Sequence, residues 1–222
     1  DDATILATRL IGGVWGHLVG DAVGVPYEFR SPAQIGEVRW GETGTHNQPP
    51  GTWSDDGALM LALLDALLED EPGPKETRVT ARFDTAEQGR RIVTWRRDKA
   101  FTPDGDGLFD IGNATSAAIR ALEAGTPAEE AGGIDERSCG NGSLMRILPV
   151  ALVHHDLPDG ELADLAHRAS SVTHRHPRAQ VACALYVLIA KRLLAGDAPA
   201  DALADARTSL RALYTGAAGG AT

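Results

Sequence analysis

Trp53-Ser54-Asp55-Asp56 places a hydroxyl and two adjacent carboxylates where a long irregular stretch gives way to a helical pattern. Hard oxygen donors of this kind suit Mg²⁺ or Mn²⁺ better than zinc. A helix N-terminus favours the same residues, with Ser54 or Asp55 as the cap and acidic side chains facing the macrodipole. From these four residues alone, both readings stand. Glu28 in GDAVGVPYEFR and Asp110 in GLFDIGN are two more loop carboxylates. Glu28 by itself reads as a solvated loop side chain. Asp110 reads as a cap for the helix that follows or as a carboxylate aimed into a cleft.

Cys139-Gly140-Asn141-Gly142-Ser143-Leu144-Met145-Arg146 is a glycine-rich turn that opens onto an apolar helical segment. Backbone N–H groups at such a turn can cradle a phosphate, and small residues let it approach. Arg146 adds a charge that could pair with a phosphate or a carboxylate. In Thr173-His174-Arg175-His176-Pro177 the two histidines stand at i and i+2, but no third ligand of that kind is near in sequence. His174 reads as a ligand contact or as a satisfied structural histidine rather than as part of a zinc site.

The elements that must position these groups are helices. Apolar residues recur at helical spacing over Thr4–Ala22, with Ile5, Leu6, Leu10, Val14, Trp15 and Leu18 in register and Thr4 as the expected N-cap. Gly12, Gly13, Gly16 and Gly20 lower helix propensity there by about 1 kcal/mol each relative to Ala, which predicts backbone packed closely against them. Gly24–Trp53 loses all periodicity and reads as a long loop. Helices are predicted over Asp56–Leu68, Ala81–Arg97, Asn113–Glu123, Asp159–Ser170, Arg178–Leu194 and Ala200–Tyr214, with Gly125 and Gly196 as stops. Glu69–Lys75 reads as a connector and Thr102–Gly107 as a turn, and a second long loop runs to Gly142. Ser143–His155 reads as helix, with Pro149 breaking it or starting a new one. No βαβ alternation, hairpin pattern or repeat is visible, so the expected class is all-α in one domain over 1–222.

A chain of 222 residues with 21 Lys plus Arg against 31 Asp plus Glu carries a formal charge of −10. This argues against general nucleic-acid binding through backbone charge, which needs a basic stripe. Two cysteines exclude a disulfide framework and a four-cysteine zinc site. The longest apolar run, Val181–Ala190, is too short to span a bilayer. The first ten residues carry no basic n-region. Together these features lead to the expectation of a cytoplasmic protein.

Taken in order, GDAVGVPYE, WSDDGALM, FDIGNATSAAIRAL, GNGSLMRILPVAL and SSVTHRHPRA resemble the ADP-ribosylglycohydrolases, most closely the branch of the dinitrogenase-reductase-activating glycohydrolase. The resemblance covers nearly all of residues 5–195. It implies an orthogonal bundle of α-helices around a two-metal cleft that cleaves ADP-ribose from its carrier, an arginine side chain in the nearest branch. It further implies that Ser54, Asp55 and Asp56 form half of a Mg²⁺ or Mn²⁺ site. Glu28 would close over the distal ribose, and Asp110 would meet the substrate's arginine or assist proton transfer. Gly112 and Asn113 fall in the FDIGN motif as ligand-binding positions. Asn141, Gly142, Ser143 and Met145 would hold the diphosphate and riboses, with His174 toward the nucleotide end.

Two departures stand out. Gly57 follows Asp56 where the family has Thr, and the family's C-terminal Asp-x-Asp-Thr segment has no counterpart. Asp197, Asp201 and Asp205 lie at helical spacing and read as a solvated face. The expected fold is therefore the family's, apparently lacking its C-terminal part, with the remaining ligands on a separate polypeptide or the chain a metal-poor form. Serine-linked, O-acetyl- or base-linked ADP-ribose as substrate, and non-catalytic ADP-ribose binding, are the alternatives.

Overall fold

A computed structural model describes residues 2–69, 83–103 and 108–216. Nine α-helices are found among them: α1 (Asp2–Gly24), α2 (Asp55–Glu69), α3 (Thr85–Asp98), α4 (Asn113–Glu123), α5 (Ala128–Ala131), α6 (Leu148–His154), α7 (Asp159–Ser171), α8 (Pro177–Ala195) and α9 (Pro199–Thr215). Short 3₁₀ turns fill some gaps, at Val25–Tyr27, Pro32–Gln34, Glu136–Ser138 and Leu144–Arg146. The described residues contain no strand, only an isolated bridge between Gly133 and His174. The all-α expectation holds.

The long amphipathic α7, α8 and α9 pack together, and α6 and α2 close over them. Leu63, Ile147, Val150, Leu162, Ala166, Ala184, Val187 and Leu188 interdigitate in this core. A second cluster joins α2 to α3 and α4 through Leu59, Ile92, Trp95 and Ile119. Helix α2 belongs to both. Ala58, Leu59, Met60, Ala62, Leu63 and Ala66 are fully buried, so neither of its long sides is free. Each Leu buried this way stabilises the fold by about 1.5–3 kcal/mol. The helix that begins with Asp55 and Asp56 is thus packed into both clusters.

The structure moves several expected boundaries. Helix α1 starts at Asp2, so Thr4 is not its cap; the Thr4 carbonyl instead accepts from Thr8 Oγ1 at 2.8 Å. No backbone crowds its glycines. A Cβ at Gly12, Gly16 or Gly20 would meet nothing within 4 Å, and at Gly13 it would meet only the Leu152 side chain. Ile5 and Trp15 are exposed rather than core residues. Helix α3 begins at Thr85, because Asp84 is extended and accepts from Ala86 N–H as N-cap. Expected element limits at residues 70–82 and 104–107 lie outside the described residues. The one-turn α5 interrupts the second long loop, too short to leave a periodic signal. Ser143–His155 splits into the 144–146 turn and α6, with Pro149 in the first turn of α6, where its missing N–H costs nothing.

Candidate active site

Asp21 near the end of α1 fixes the N-terminus of helix α2. The Asp21 carboxylate accepts from Ser54 N–H at 2.9 Å, Ser54 Oγ at 2.9 Å and Gly57 N–H at 2.8 Å. Ser54 in turn acts as N-cap, its Oγ accepting from Asp56 N–H at 3.2 Å. The helix N-terminus is capped by Ser54 and Asp21, so the Asp55 carboxylate is not needed as a cap, and the Asp56 carboxylate has only a 3.4 Å contact from Ser54 Oγ. Sequence reasoning missed Asp21. The available signal was that it is the one acidic residue between Arg9 and Glu28.

Glu28 and Asp110 arrive from two separate loops. Together with His46 they bring ligand atoms within 4.8 Å of one another, a group that could hold a metal ion. His46 Nε2 lies 2.5 Å from Glu28 Oε2, and its ring is flanked by Phe29 and Phe109 at 5.7 and 4.8 Å. Thr45 ties the same loop down, its N–H donating to the Pro26 carbonyl and its Oγ1 to that of Glu28. Phe29, Asn47 and Asp110 all have left-handed backbone, with φ of 61°, 49° and 56°. Such conformations cost a non-glycine residue of order 1 kcal/mol or more, and three of them surround one cluster. His46 was not foreseen, because nothing in GTHNQPP distinguishes it from loop composition.

The electrostatics make Asp21, Glu28, Asp55, Asp56 and Asp110 a single system. Burial, followed by the charges of Asp56, Asp110, Asp21 and Glu28, pushes Asp55 up to about 8. Burial and Asp21 push Asp56 up to about 6. Burial raises Glu28, opposed by its hydrogen bond to His46. Asp21 is raised by burial as well, although the N–H groups of Gly57 and Ser54 act against it. Closely set, partly buried carboxylates that repel one another are the environment a hard divalent cation relieves, and the oxygen donors of Ser54, Asp55 and Asp56 fit one.

The glycine-rich turn is built differently from its expected use. Arg146 is fully buried and donates to the carbonyls of Gly142 at 2.5 Å and Ala169 at 3.0 Å, so it braces the turn from beneath and cannot reach an exposed phosphate. Burial lowers it to about 10. The Ser143 hydroxyl also faces inward, accepting from Ser170 Oγ at 2.8 Å and Cys183 Sγ at 3.4 Å. His174 is buried below the turn, and burial followed by the Arg146 charge lowers it to about 4. Its Nδ1 pairs with Thr173 Oγ1, and a Cβ on Gly142 would sit 2.6 Å from its Cε1. Asn141 is exposed, Gly142 half-buried, and Met145 packs on the α3–α4 cluster. Gly112 is the N-cap of α4 and Asn113 its first residue, both exposed. His176 caps α8, accepting from Arg178 N–H.

Gly57 has a local cause. A Cβ there would lie 2.8 Å from Trp53 Cδ1 and 3.0 Å from Asp21 Oδ2. The indole occupies the space a threonine would need, held by Nε1 donating to the Phe101 carbonyl at 2.9 Å. Asp197, Asp201 and Asp205 are solvent-exposed, as their spacing implied. No helix among the described residues is long and apolar enough to cross a membrane.

Comparison with known proteins places the chain in a family. The chain is 31% identical over 207 residues to the ADP-ribosylarginine hydrolase Tri1 of Pseudomonas putida (strain GB-1), covering 91% of this chain and 51% of that one. It is 27% identical over 198 residues to the ADP-ribosyl-[dinitrogen reductase] glycohydrolase of Rhodospirillum rubrum, covering 85% and 58%. A solved ADP-ribosylglycohydrolase-related protein complex aligns with a TM-score of 0.71 at 32% identity, over 92% of this chain and 62% of that one. The chain thus spans about half the length of the curated relatives it matches. The family profile described as ADP-ribosylglycohydrolase matches residues 2–220, which takes in the Asp21-anchored turn, the loop carboxylates and the braced glycine turn; the chain belongs to the ADP-ribosylglycohydrolase family.

Proposed function

We propose that this chain carries the substrate cleft and half of the metal site of a Mg²⁺- or Mn²⁺-dependent hydrolase that removes ADP-ribose from arginine side chains of proteins. The observation that supports it most is the Asp55–Asp56 pair, buried and half-buried within reach of the charges of Glu28 and Asp110 and pushed up to about 8 and 6, with its helix capped by Ser54 and Asp21. Arginine is favoured because two of the matched relatives are named for arginine-linked or dinitrogen-reductase-linked ADP-ribose.

Cleaving an N-glycosidic bond passes through an oxocarbenium-like state, so positive charge at the anomeric carbon must be stabilised and water delivered. Ser54, Asp55 and Asp56 would hold the metal, which supplies Lewis acidity and a lowered pKa for bound water. The carboxylate-rich cleft favours the developing cation. Glu28, raised by burial, keeps a proton to higher pH than an ordinary carboxylate, which suits donation to the leaving nitrogen. His46 orients that carboxylate, and Asp110 at the exposed rim is placed to meet a cationic guanidinium. The turn from Asn141 to Met145, braced by Arg146 and His174, would receive the diphosphate.

Incubation with an arginine-ADP-ribosylated protein and Mn²⁺ or Mg²⁺ is expected to release ADP-ribose, and EDTA to stop it. A serine-linked substrate in parallel separates the linkages. Measurable ADP-ribose binding with no cleavage of any linkage at any metal concentration would replace this reading with the non-catalytic one. Gly142→Ala tests the turn. Its Cβ would fall on the buried His174 ring, so we expect ADP-ribose affinity by calorimetry to fall at least about tenfold, roughly 1.4 kcal/mol, with helicity unchanged. Unaltered affinity would remove the turn from the binding site.

A further inference from the structure

Glu28, His46 and Asp110 come together from distant points of the chain, and each is held by its own restraint. The Glu28 carbonyl accepts from Thr45 Oγ1 at 2.7 Å, which ties residue 28 to the stretch that carries His46. The His46 ring lies between Phe29 and Phe109, with its Nε2 facing the Glu28 carboxylate. Asp110 follows Phe109 directly. The ligand atoms of the three lie within 4.8 Å of one another, and no other three His, Cys, Asp or Glu side chains among the described residues meet that closely. Asp55 and Asp56 do not join this group, although the charges of Glu28 and Asp110 reach Asp55.

The donor set differs in kind from that of the turn at Ser54. Ser54, Asp55 and Asp56 offer oxygen alone, which suits a hard cation. One imidazole with two carboxylates suits a borderline cation such as Zn²⁺, which takes His nitrogen and Asp or Glu oxygen at about 2.0–2.2 Å. Tetrahedral ligands at that range stand roughly 3.3–3.6 Å from one another. His46 Nε2 and Glu28 Oε2 are 2.5 Å apart. An ion between them therefore opens the pair by about 1 Å, which the Glu28 side-chain torsions can supply. Asp110 is exposed, so a fourth position is open to water. Asp110 also repels the Glu28 carboxylate, and a divalent cation shared by the two turns that repulsion into attraction.

We propose that Glu28, His46 and Asp110 form a second cation site, for Zn²⁺ or an ion of its class, distinct in chemistry from the hard site at Ser54, Asp55 and Asp56. Occupation takes the Glu28 carboxylate as a ligand, so it no longer hands a proton to a leaving group. It also puts positive charge on Asp110, where a cationic guanidinium is to be met. Zinc is therefore an inhibitor, while the hard cation is the working ion. That consequence rests on the hydrolytic reading; the site itself does not.

The test is zinc binding to the whole chain in excess Mg²⁺, which occupies the oxygen-only site. Calorimetry is expected to show one Zn²⁺ per chain. The His46 imidazole signals, identified by their loss from the NMR spectrum of His46→Gln, should shift with Zn²⁺ and not with Mg²⁺. His46→Gln keeps a hydrogen-bond donor toward Glu28, so it separates ligation from packing. It should weaken zinc binding at least about tenfold, the loss that even an outer partner of a metal ligand brings. The control His155→Gln, at the end of α6, leaves binding unchanged. Zinc that binds His46→Gln as tightly as the parent, or no zinc bound beside Mg²⁺, overturns the assignment. A chain that binds zinc through His46 yet releases no ADP-ribose with any metal keeps the site and removes the hydrolytic reading. Undiminished release with zinc seated on His46 overturns the inhibition.

Discussion

At about pH 8.5 in EDTA, Asp55→Asn will melt higher than the parent chain, by about 6–12 °C. The reason is linkage. Asp55 has a folded pKa raised from 3.8 to about 8, so the folded state holds a proton that the unfolded state has already released. Stability from this group is complete below the unfolded value and is lost as pH rises through the folded one. Each unit of difference is worth about 1.4 kcal/mol. Half of the gap, the rest being relief shared with Asp56, comes to about 3 kcal/mol, and in a protein of this size each kcal/mol moves the midpoint by roughly 2–4 °C. The advantage should shrink steadily on acidification and vanish near about pH 4, where Asp55 is protonated in both states. Excess Mn²⁺ should reverse the order, raising the parent midpoint and leaving the variant unmoved, because the destabilising charges are the ligands. Thermal melts across pH with and without Mn²⁺ check both halves. A variant that melts below the parent at high pH in EDTA would mean that Asp55 is stabilised by groups other than a cation.

Asp21→Ala will have an effect of similar size and opposite sign. It deprives two backbone N–H groups and one hydroxyl of their acceptor at a site closed by Trp53, and each such loss costs about 1–3 kcal/mol when water cannot replace the partner. A total of about 3–5 kcal/mol corresponds to a fall of roughly 6–20 °C in melting temperature. The more telling result concerns the metal. Although Ser54, Asp55 and Asp56 all remain, the Mn²⁺-induced rise in melting temperature should disappear, because the turn that sets their mutual geometry is no longer pinned to α1. Asp21→Asn keeps one acceptor oxygen and should fall between. If Asp21→Ala lowers stability but keeps the Mn²⁺ shift, α2 alone holds the ligand geometry.

These two residues also show what sequence could and could not reveal. Asp55 and Asp56 were visible as paired carboxylates at a helix start, but the choice between cap and ligand needed the knowledge that Asp21, 33 positions away from Ser54, had taken over part of the capping. His46 reaches Glu28 across 18 residues of loop for the same reason unseen: no periodicity links them. Helix α4 matched its expected bounds because a glycine cap and a clean apolar face mark it. Helix α1 was found, but its faces were misassigned, since a helix apolar on both sides gives periodicity no way to choose the inner one. Arg146 looked like a free charge because composition does not tell which way a side chain turns.

The contact between Trp53 and position 57 bears on how such a site can change over time. With the indole ring 2.8 Å from where a Cβ would stand, placing threonine at 57 alone would drive the ring out and strip the hydrogen bond to Phe101. Shrinking Trp53 alone would open a void over the metal turn. Neither single step is neutral, so the two positions are epistatic. A side chain at 57 therefore fits this turn only together with a smaller residue at 53.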